Sequence, residues 1–215
     1  MRISKRIQEI EQLIPQNCIL ADIGCDHAYL DVLAIQHGKC KKSYACDVAK
    51  GPLENAKRVI NENHLNNIVI PILSCGLENV PSDANVCVIA GMGFETMKSI
   101  LENKRLQQFH TLILQSNSDV MELRKWLIAN HWIITQEKMI HEGHFYVILV
   151  CEKGTDTYTE EDYLFGKSGH DEVFHDYLLF RKNRIESIIN QLKDPNSIQE
   201  FKHLLELIDK KMKQF

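Results

Sequence analysis

Ile3, Ile7, Ile10 and Ile14 recur at spacings of four, three and four residues, and Pro15 follows. This predicts an amphipathic helix that stops before the proline. The pattern then changes to a short apolar run, Cys18-Ile19-Leu20-Ala21-Asp22-Ile23-Gly24, ending in a turn. Such a run predicts a strand buried on both faces, as parallel strands are. Further strand-like runs follow at Ser43–Asp47, Ile68–Leu73, Asn85–Ala90, Thr111–Gln115, Trp132–Met139 and Phe145–Cys151. Helix-like stretches of ten or more residues separate the earlier runs, which implies a parallel sheet with right-handed crossovers. Only Ile140-His141-Glu142-Gly143-His144 separates the last two, and so short a link joins antiparallel neighbours. The expected fold is α/β and Rossmann-like, five parallel strands closed by a terminal antiparallel hairpin.

Past Cys151 the pattern changes again. Glu152–Asp162 is polar and acidic and reads as a linker. Val173, Phe174, Tyr177, Leu178, Ile185, Ile188, Ile189 and Leu192 then form an apolar stripe at helical spacing. Asp194-Pro195-Asn196 breaks it, and Ile198, Phe201, Leu204, Leu205, Ile208 and Met212 form a second. Two helices with a short turn predict an antiparallel, coiled-coil-like hairpin. The expected organisation is a Rossmann-like domain over 1–152, an acidic linker over 153–170 and a helical arm over 171–215. The arm either braces the domain or holds substrate.

Composition narrows the class. The chain has 215 residues, 44% hydrophobic and 25% charged, which suits one domain plus an appendage and excludes collagen-like, disulfide-scaffold and wholly disordered proteins. No apolar run approaches the roughly 18 residues of a membrane span, and the basic start lacks a signal-peptide core. Seven single cysteines, at 18, 25, 40, 46, 75, 87 and 151, are expected to be reduced thiols in a cytoplasmic protein. His141 and His144 lack the helical spacing of a metal motif, so no metal is expected. Trp126 and Trp132 read as core, and Arg124 with Lys125 as a solvated helix face in preference to a phosphate contact.

The candidate chemistry lies at the strand ends, where an open parallel sheet binds ligands. The first end is Asp22-Ile23-Gly24-Cys25-Asp26-His27-Ala28-Tyr29-Leu30, an acid and a glycine in a tight turn before a helix. A dinucleotide fingerprint needs three glycines there; only Gly24 is present, with Asp26 and Ala28 at the other small positions. Asp26 repels a pyrophosphate but not a sulfonium cofactor with an amino-acid ammonium, which favours S-adenosylmethionine (SAM) over NAD. Asp47, at the second strand end, suits ribose hydroxyls. The third and fourth strands lead to Ser74-Cys75-Gly76-Leu77 and Ala90-Gly91-Met92-Gly93-Phe94, whose paired glycines signal either close backbone approach by a ligand or tight turns.

These strings carry a resemblance. Leu20 through Leu30, Gly51-Pro52-Leu53, Ile89-Ala90-Gly91-Met92-Gly93 and Leu112-Ile113-Leu114-Gln115 resemble the bacterial tRNA (adenine-N1)-methyltransferases that modify nucleotide 22, the TrmK family. The resemblance implies a class I SAM-dependent methyltransferase fold and a tRNA partner. It implies a cofactor site built from Asp22, Gly24, Cys25, Asp26, His27, Asp47, Val48, Cys75, Gly76, Leu77, Ala90, Gly91, Met92 and Gly93. The chain departs from the family where Cys75 replaces an expected Asp, Phe94 a Gly, and Ser116 and Lys167 a Pro. Phe94 would add a ring beside the target pocket.

Adenine N1 needs no base to remove a proton, only positioning and tolerance of developing positive charge. Asp26 is assigned that stabilisation, against the alternative of a helix cap. N1 lies on the pairing edge, so an unpaired or flipped base is required; Tyr29 and Phe94 are candidates to stack on it and Asn117 to hydrogen-bond its edge. Competing readings are a small-molecule methyltransferase and a catalytically weak RNA-binding module. The formal charge of −4 counts against RNA binding until it is located. Glu152–Asp176 hold eight acids against Lys153 and Lys167, which is −6 and leaves about +2 elsewhere. The basic residues gather at Arg2-Lys5-Arg6, Arg181-Lys182-Arg184 and Lys210-Lys211-Lys213, and Lys5, Arg6, Arg181, Lys182 and Arg184 are the expected RNA contacts of a monomer.

Overall fold

A computed structural model describes residues 3–214, so Arg2 lies outside the described residues. The first helix, α1 (Lys5–Leu13), is capped by Ser4, whose side chain accepts the Ile7 amide, and buries Ile10. Seven strands form one sheet: β1 (Cys18–Ile23), β2 (Cys40–Asp47), β3 (Val69–Leu73), β4 (Val86–Met92), β5 (Thr111–Ser116), β6 (Trp132–Glu142) and β7 (His144–Lys153). Their spatial order is β3-β2-β1-β4-β5-β7-β6. The pairs β1–β2, β1–β4, β2–β3 and β4–β5 are parallel, and β7 runs antiparallel between β5 and β6. Helices α2 (Tyr29–Gln36), α3 (Lys50–Glu62), α4 (Phe94–Leu101) and α5 (Val120–Ala129) make crossovers, whereas residues 74–85 between β3 and β4 form turns and not the helix expected from the strand–helix alternation. The chain reverses strand order beside β1 and β4, which puts the topological switch at their carboxyl ends.

The final hairpin is tighter than its sequence suggests. His141 pairs with Phe145 and Glu142 with His144, so the ladder runs to a turn at Gly143, whose φ is +73°. The polar residues of this stretch are exposed sheet positions, not a loop.

The stretch past β7 holds a short helix, α6 (Glu160–Phe165), with a Thr159–Asp162 capping box. It is clasped to the sheet by Arg124, which the sequence placed on a solvated face. Arg124 and Glu137 are 4% exposed and their Nη2–Oε2 distance is 2.6 Å. Arg124 Nη1 also donates to the Tyr163 and Leu164 carbonyls at 3.0 and 3.4 Å. Its helix face is covered by α6, which is why an Arg sits there rather than in solvent. Lys125 stays exposed, paired with Glu122.

The arm is α7 (Glu172–Ile189) and α8 (Pro195–Met212), with Asp171 and Asp194 as side-chain N-caps. Phe165, Phe174 and Leu178 belong to the same core cluster as Leu112, Leu149 and Trp132, so the arm's stripe packs onto the sheet. Trp126 packs at that cluster's edge. No described helix is long and apolar enough to cross a membrane.

Candidate active site

The β1 end turns through three left-handed residues in five: Gly24 (φ +80°), Asp26 (+50°) and Ala28 (+56°). These are the small positions seen in the sequence. A Cβ on Gly24 would collide with the Met92 methyl, which lies over it. The Gly24 and Cys25 amides both donate to the Cys46 carbonyl, at 2.8 and 3.0 Å. Ala28, not Asp26, is the N-cap of α2, so Asp26 is not a helix cap. Its side chain is exposed and lies 3.5 Å from His27 Nε2, while the His27 ring stacks on Tyr29 at 5.3 Å. His27 Nδ1 is buried without a partner.

At the β2 end, Asp47 Oδ1 accepts the Ala49 amide at 2.9 Å and Oδ2 faces the Asp26 amide at 3.4 Å. Val48 and Leu73 are 69% and 46% exposed, and Leu73 pairs in register with Asp47. A carboxylate flanked by bare apolar surface fits a nucleoside, with ribose on Asp47 and the base against Val48 and Leu73. Cys75 is exposed beside them, whereas Leu77 is fully buried in the main core and offers no side-chain surface.

Beneath the turn lies a feature that the sequence reading missed. Asp22 and Asp31 are both buried, and Ser43 Oγ donates to Asp31 Oδ1. Burial pushes Asp31 up to about 6. Asp22 is held well above the carboxylate range by burial first, then by Asp31 and Asp47. The pair therefore keeps a proton that two surface carboxylates would shed. The signal was available: Asp31 is an acid inside the apolar string Leu30-Asp31-Val32-Leu33. Burial likewise pushes the Cys25 thiol up, so it stays neutral.

Between β4 and β5, Gln115 acts as a hub. Its buried Oε1 accepts both the Gly91 amide and Arg6 Nη1, each at 3.1 Å, and its Nε2 donates to Asn117 Oδ1. Asn117 Nδ2 donates to the Gly91 carbonyl at 2.7 Å. Asn117 thus braces the two strand ends, with much of its hydrogen-bonding capacity spent inside the protein. Arg6 stacks on Tyr146 with its Cζ 5.3 Å from the ring centroid.

A small hollow of about 110 Å³ is lined by Arg6, Asp22, Gly24, Asp26, Tyr29 and Ala90 among others. Phe94 does not join it. As the first residue of α4, behind the Gly93 N-cap, it turns inward and is buried in the main core. Of the basic residues, Arg181 and Arg184 face hollows between the arm and the sheet. Lys182 points away and pairs with Asp209 at 2.6 Å, and Lys210 pairs with Glu161. Lys5 is exposed at the start of α1, its amide held by Glu142. Among the described residues no group of three His, Cys, Asp or Glu is arranged to hold a metal.

Comparisons with known proteins agree with this geometry. The family described as a methyltransferase domain matches residues 3–149. A tRNA (adenine(22)-N(1))-methyltransferase of Bacillus subtilis (strain 168) is 34% identical over 158 residues, which cover 72% of this chain and 66% of that protein. Among solved structures, M. capricolum TrmK in complex with S-adenosyl-homocysteine superposes with TM-score 0.90 at 28% identity, covering 99% of each chain. The B. subtilis m1A22 tRNA methyltransferase TrmK superposes with TM-score 0.86 at 27% identity, covering 98% of this chain and 99% of its own. With the family match over residues 3–149 and superposition over nearly the full length, the chain belongs to the methyltransferase-domain family and, within it, to the TrmK tRNA methyltransferases.

Proposed function

We propose that this protein methylates N1 of an adenine in tRNA, at nucleotide 22, with SAM as methyl donor. The observation that carries the reading is the convergence, at the carboxyl ends of β1, β2 and β3, of a nucleoside cradle and an exposed carboxylate. The cradle is Gly24, Asp47, Val48 and Leu73, and the carboxylate is Asp26. SAM, when bound, supplies an electrophilic methyl group. Asp47 is assigned the ribose and Asp22 the amino-acid ammonium.

The chain's own residues then have simple tasks. The adenine N1 lone pair is free at neutral pH, so no side chain has to remove a proton before attack. Asp26 stands at the mouth of the small hollow, where its charge favours the cationic ring that forms. The His27–Tyr29 stack beside it offers aromatic surface to a flipped base. Gln115 and Asn117 fix the Gly91 backbone and Arg6 in place, so their role is positioning. We further propose a monomeric, cytoplasmic protein, consistent with seven free cysteines.

The test is mass spectrometry of nucleosides from tRNA incubated with protein and SAM. Formation of 1-methyladenosine, lost when nucleotide 22 is changed from adenine, is expected. Its absence with tRNA that carries adenine at that position overturns the proposal.

A further inference from the structure

A second hollow, of about 700 Å³, opens between the β6–β7 turn and α7. Arg6 lines both it and the small hollow over Gly24, so the two share that residue. Its rings form one connected cluster centred on Phe145. His141 stacks on Phe145 at 4.4 Å and 16°, and Phe145 meets Tyr177 and Phe180 at 5.5 Å each. Phe180 is 50% exposed, an unusual position for so large an apolar ring. The lining contains Arg6 and Arg184 but no carboxylate, and Arg184 has no ion-pair partner among the described residues. Tyr177, Phe180, Arg181 and Arg184 fall at i, i+3, i+4 and i+7 on α7 and share one face.

Accessible aromatic faces next to unpaired arginines are the chemistry that holds unstacked nucleotides: the rings take the base and the guanidinium takes the phosphate. Extruding the target adenine also pulls its neighbours out of their helical stack. Resting on the tRNA reading above, we infer that this hollow is a second nucleotide subsite. An unpaired base adjoining the target adenine lies against the Phe145–Phe180 rings, with its phosphate between Arg184 and Arg6. Two cations, against the single neighbouring carboxylate of Glu142 that is already engaged by the Lys5 and Arg6 amides, favour RNA over an apolar protein segment as the occupant.

The test uses the full-length protein and fluorescently labelled tRNA, with binding followed by anisotropy and SAM affinity measured alongside. Phe180→Ala is expected to weaken tRNA binding about tenfold, the scale of one lost base–aromatic stack. SAM affinity stays unchanged, and Phe180→Trp restores tRNA binding while Phe180→Leu does not. Arg184→Ala weakens binding and lowers the salt dependence by about one ion. With tRNA lacking the bases that flank the target, Phe180→Ala causes no further loss. Unchanged affinity in Phe180→Ala, full rescue by Leu, or a Phe180-dependent dimer of the protein alone overturns the subsite. Loss of tRNA affinity on Phe180→Ala in a protein that makes no 1-methyladenosine keeps the subsite and retires the catalytic reading. Methylation with an affinity indifferent to Phe180 does the reverse.

Discussion

Replacing Arg124 by Met should destabilise the protein by about 3–5 kcal/mol at pH 8, the usual consequence of leaving a buried partner charge uncompensated. Arg124 meets Glu137 at 2.6 Å with both side chains 4% exposed, and it also holds two carbonyls at the end of α6. Even with Arg124 present, burial keeps the Glu137 carboxyl above its ordinary value, against the lowering effect of the guanidinium. Without Arg124 the two lowering contributions of the guanidinium are gone, while burial and Asp162 still raise the carboxyl against the Lys167 amide, so Glu137 takes a proton more readily in the folded variant than in the unfolded chain. A folded-state value raised above the unfolded one gives stability that is present at low pH and lost as pH rises. The deficit of Arg124→Met relative to wild type should therefore be smaller at pH 5 than at pH 8. Urea unfolding at the two pH values measures it. The double variant Arg124→Met, Glu137→Leu should recover most of the loss at both, because a buried ion pair exchanged for apolar side chains is often neutral or better. A single-variant loss below about 1 kcal/mol, or one equal at both pH values, would refute the reasoning.

Three further outcomes follow from the site and its supports. Asp22 keeps its proton above the usual carboxylate range in the free protein, so binding an ammonium beside it releases a proton and SAM affinity weakens as pH falls. Asp31→Asn removes the nearest like charge and should move that weakening to lower pH, and identical calorimetric profiles for the two proteins between pH 5 and 8 would contradict this. Asp26→Asn should lower single-turnover methylation by about 10²-fold with SAM affinity little changed; Asn tolerates the left-handed backbone there, so near-normal turnover would remove Asp26 from the chemistry. Gly169→Ala forces a side chain onto the Glu137 carbonyl at φ +76° and should lower stability by about 2 kcal/mol or more, read by thermal unfolding.

The legible parts of the fold were those set by local periodicity. Ile7, Ile10 and Ile14 declare α1, and the buried runs around Ala21 and Val88 declare parallel strands joined by right-handed crossovers. The acids and glycines at the strand ends were legible for a related reason, since the topology itself says where ligands go. What escaped depends on partners distant in sequence. Helix α6 spans six residues and has no apolar stripe of its own; it is held by Arg124, about 40 residues earlier. Gln115 reads as one more strand residue until Arg6 and Gly91 arrive from 109 and 24 residues away. Phe94 was misplaced because proximity to Gly91-Met92-Gly93 suggested the pocket, whereas the phase of α4 turns its ring to the core.

The charge total shows the same separation between what a chain contains and where it is put. A sum of −4 opposes RNA binding only if the charges act together, and at physiological salt their reach is about 8 Å. Lys182 is paired with Asp209, Lys210 with Glu161 and Lys167 with Asp156, so these cations present little field to a partner. Arg6, Arg181 and Arg184 have no ion-pair partner among the described residues, and all three line the hollows where the arm meets the sheet. The acidic stretch that dominates the total is spent partly on capping α6 and on holding α8. Arg6, which also lines the small hollow, connects these arginines to the face that holds Asp26 and Tyr29. It follows that charge reversal at Glu161 or Asp209 should barely move the affinity for tRNA measured at constant ionic strength. Loss of a single arginine among Arg6, Arg181 and Arg184 should lower both the affinity and its salt dependence, although the net charge changes by less.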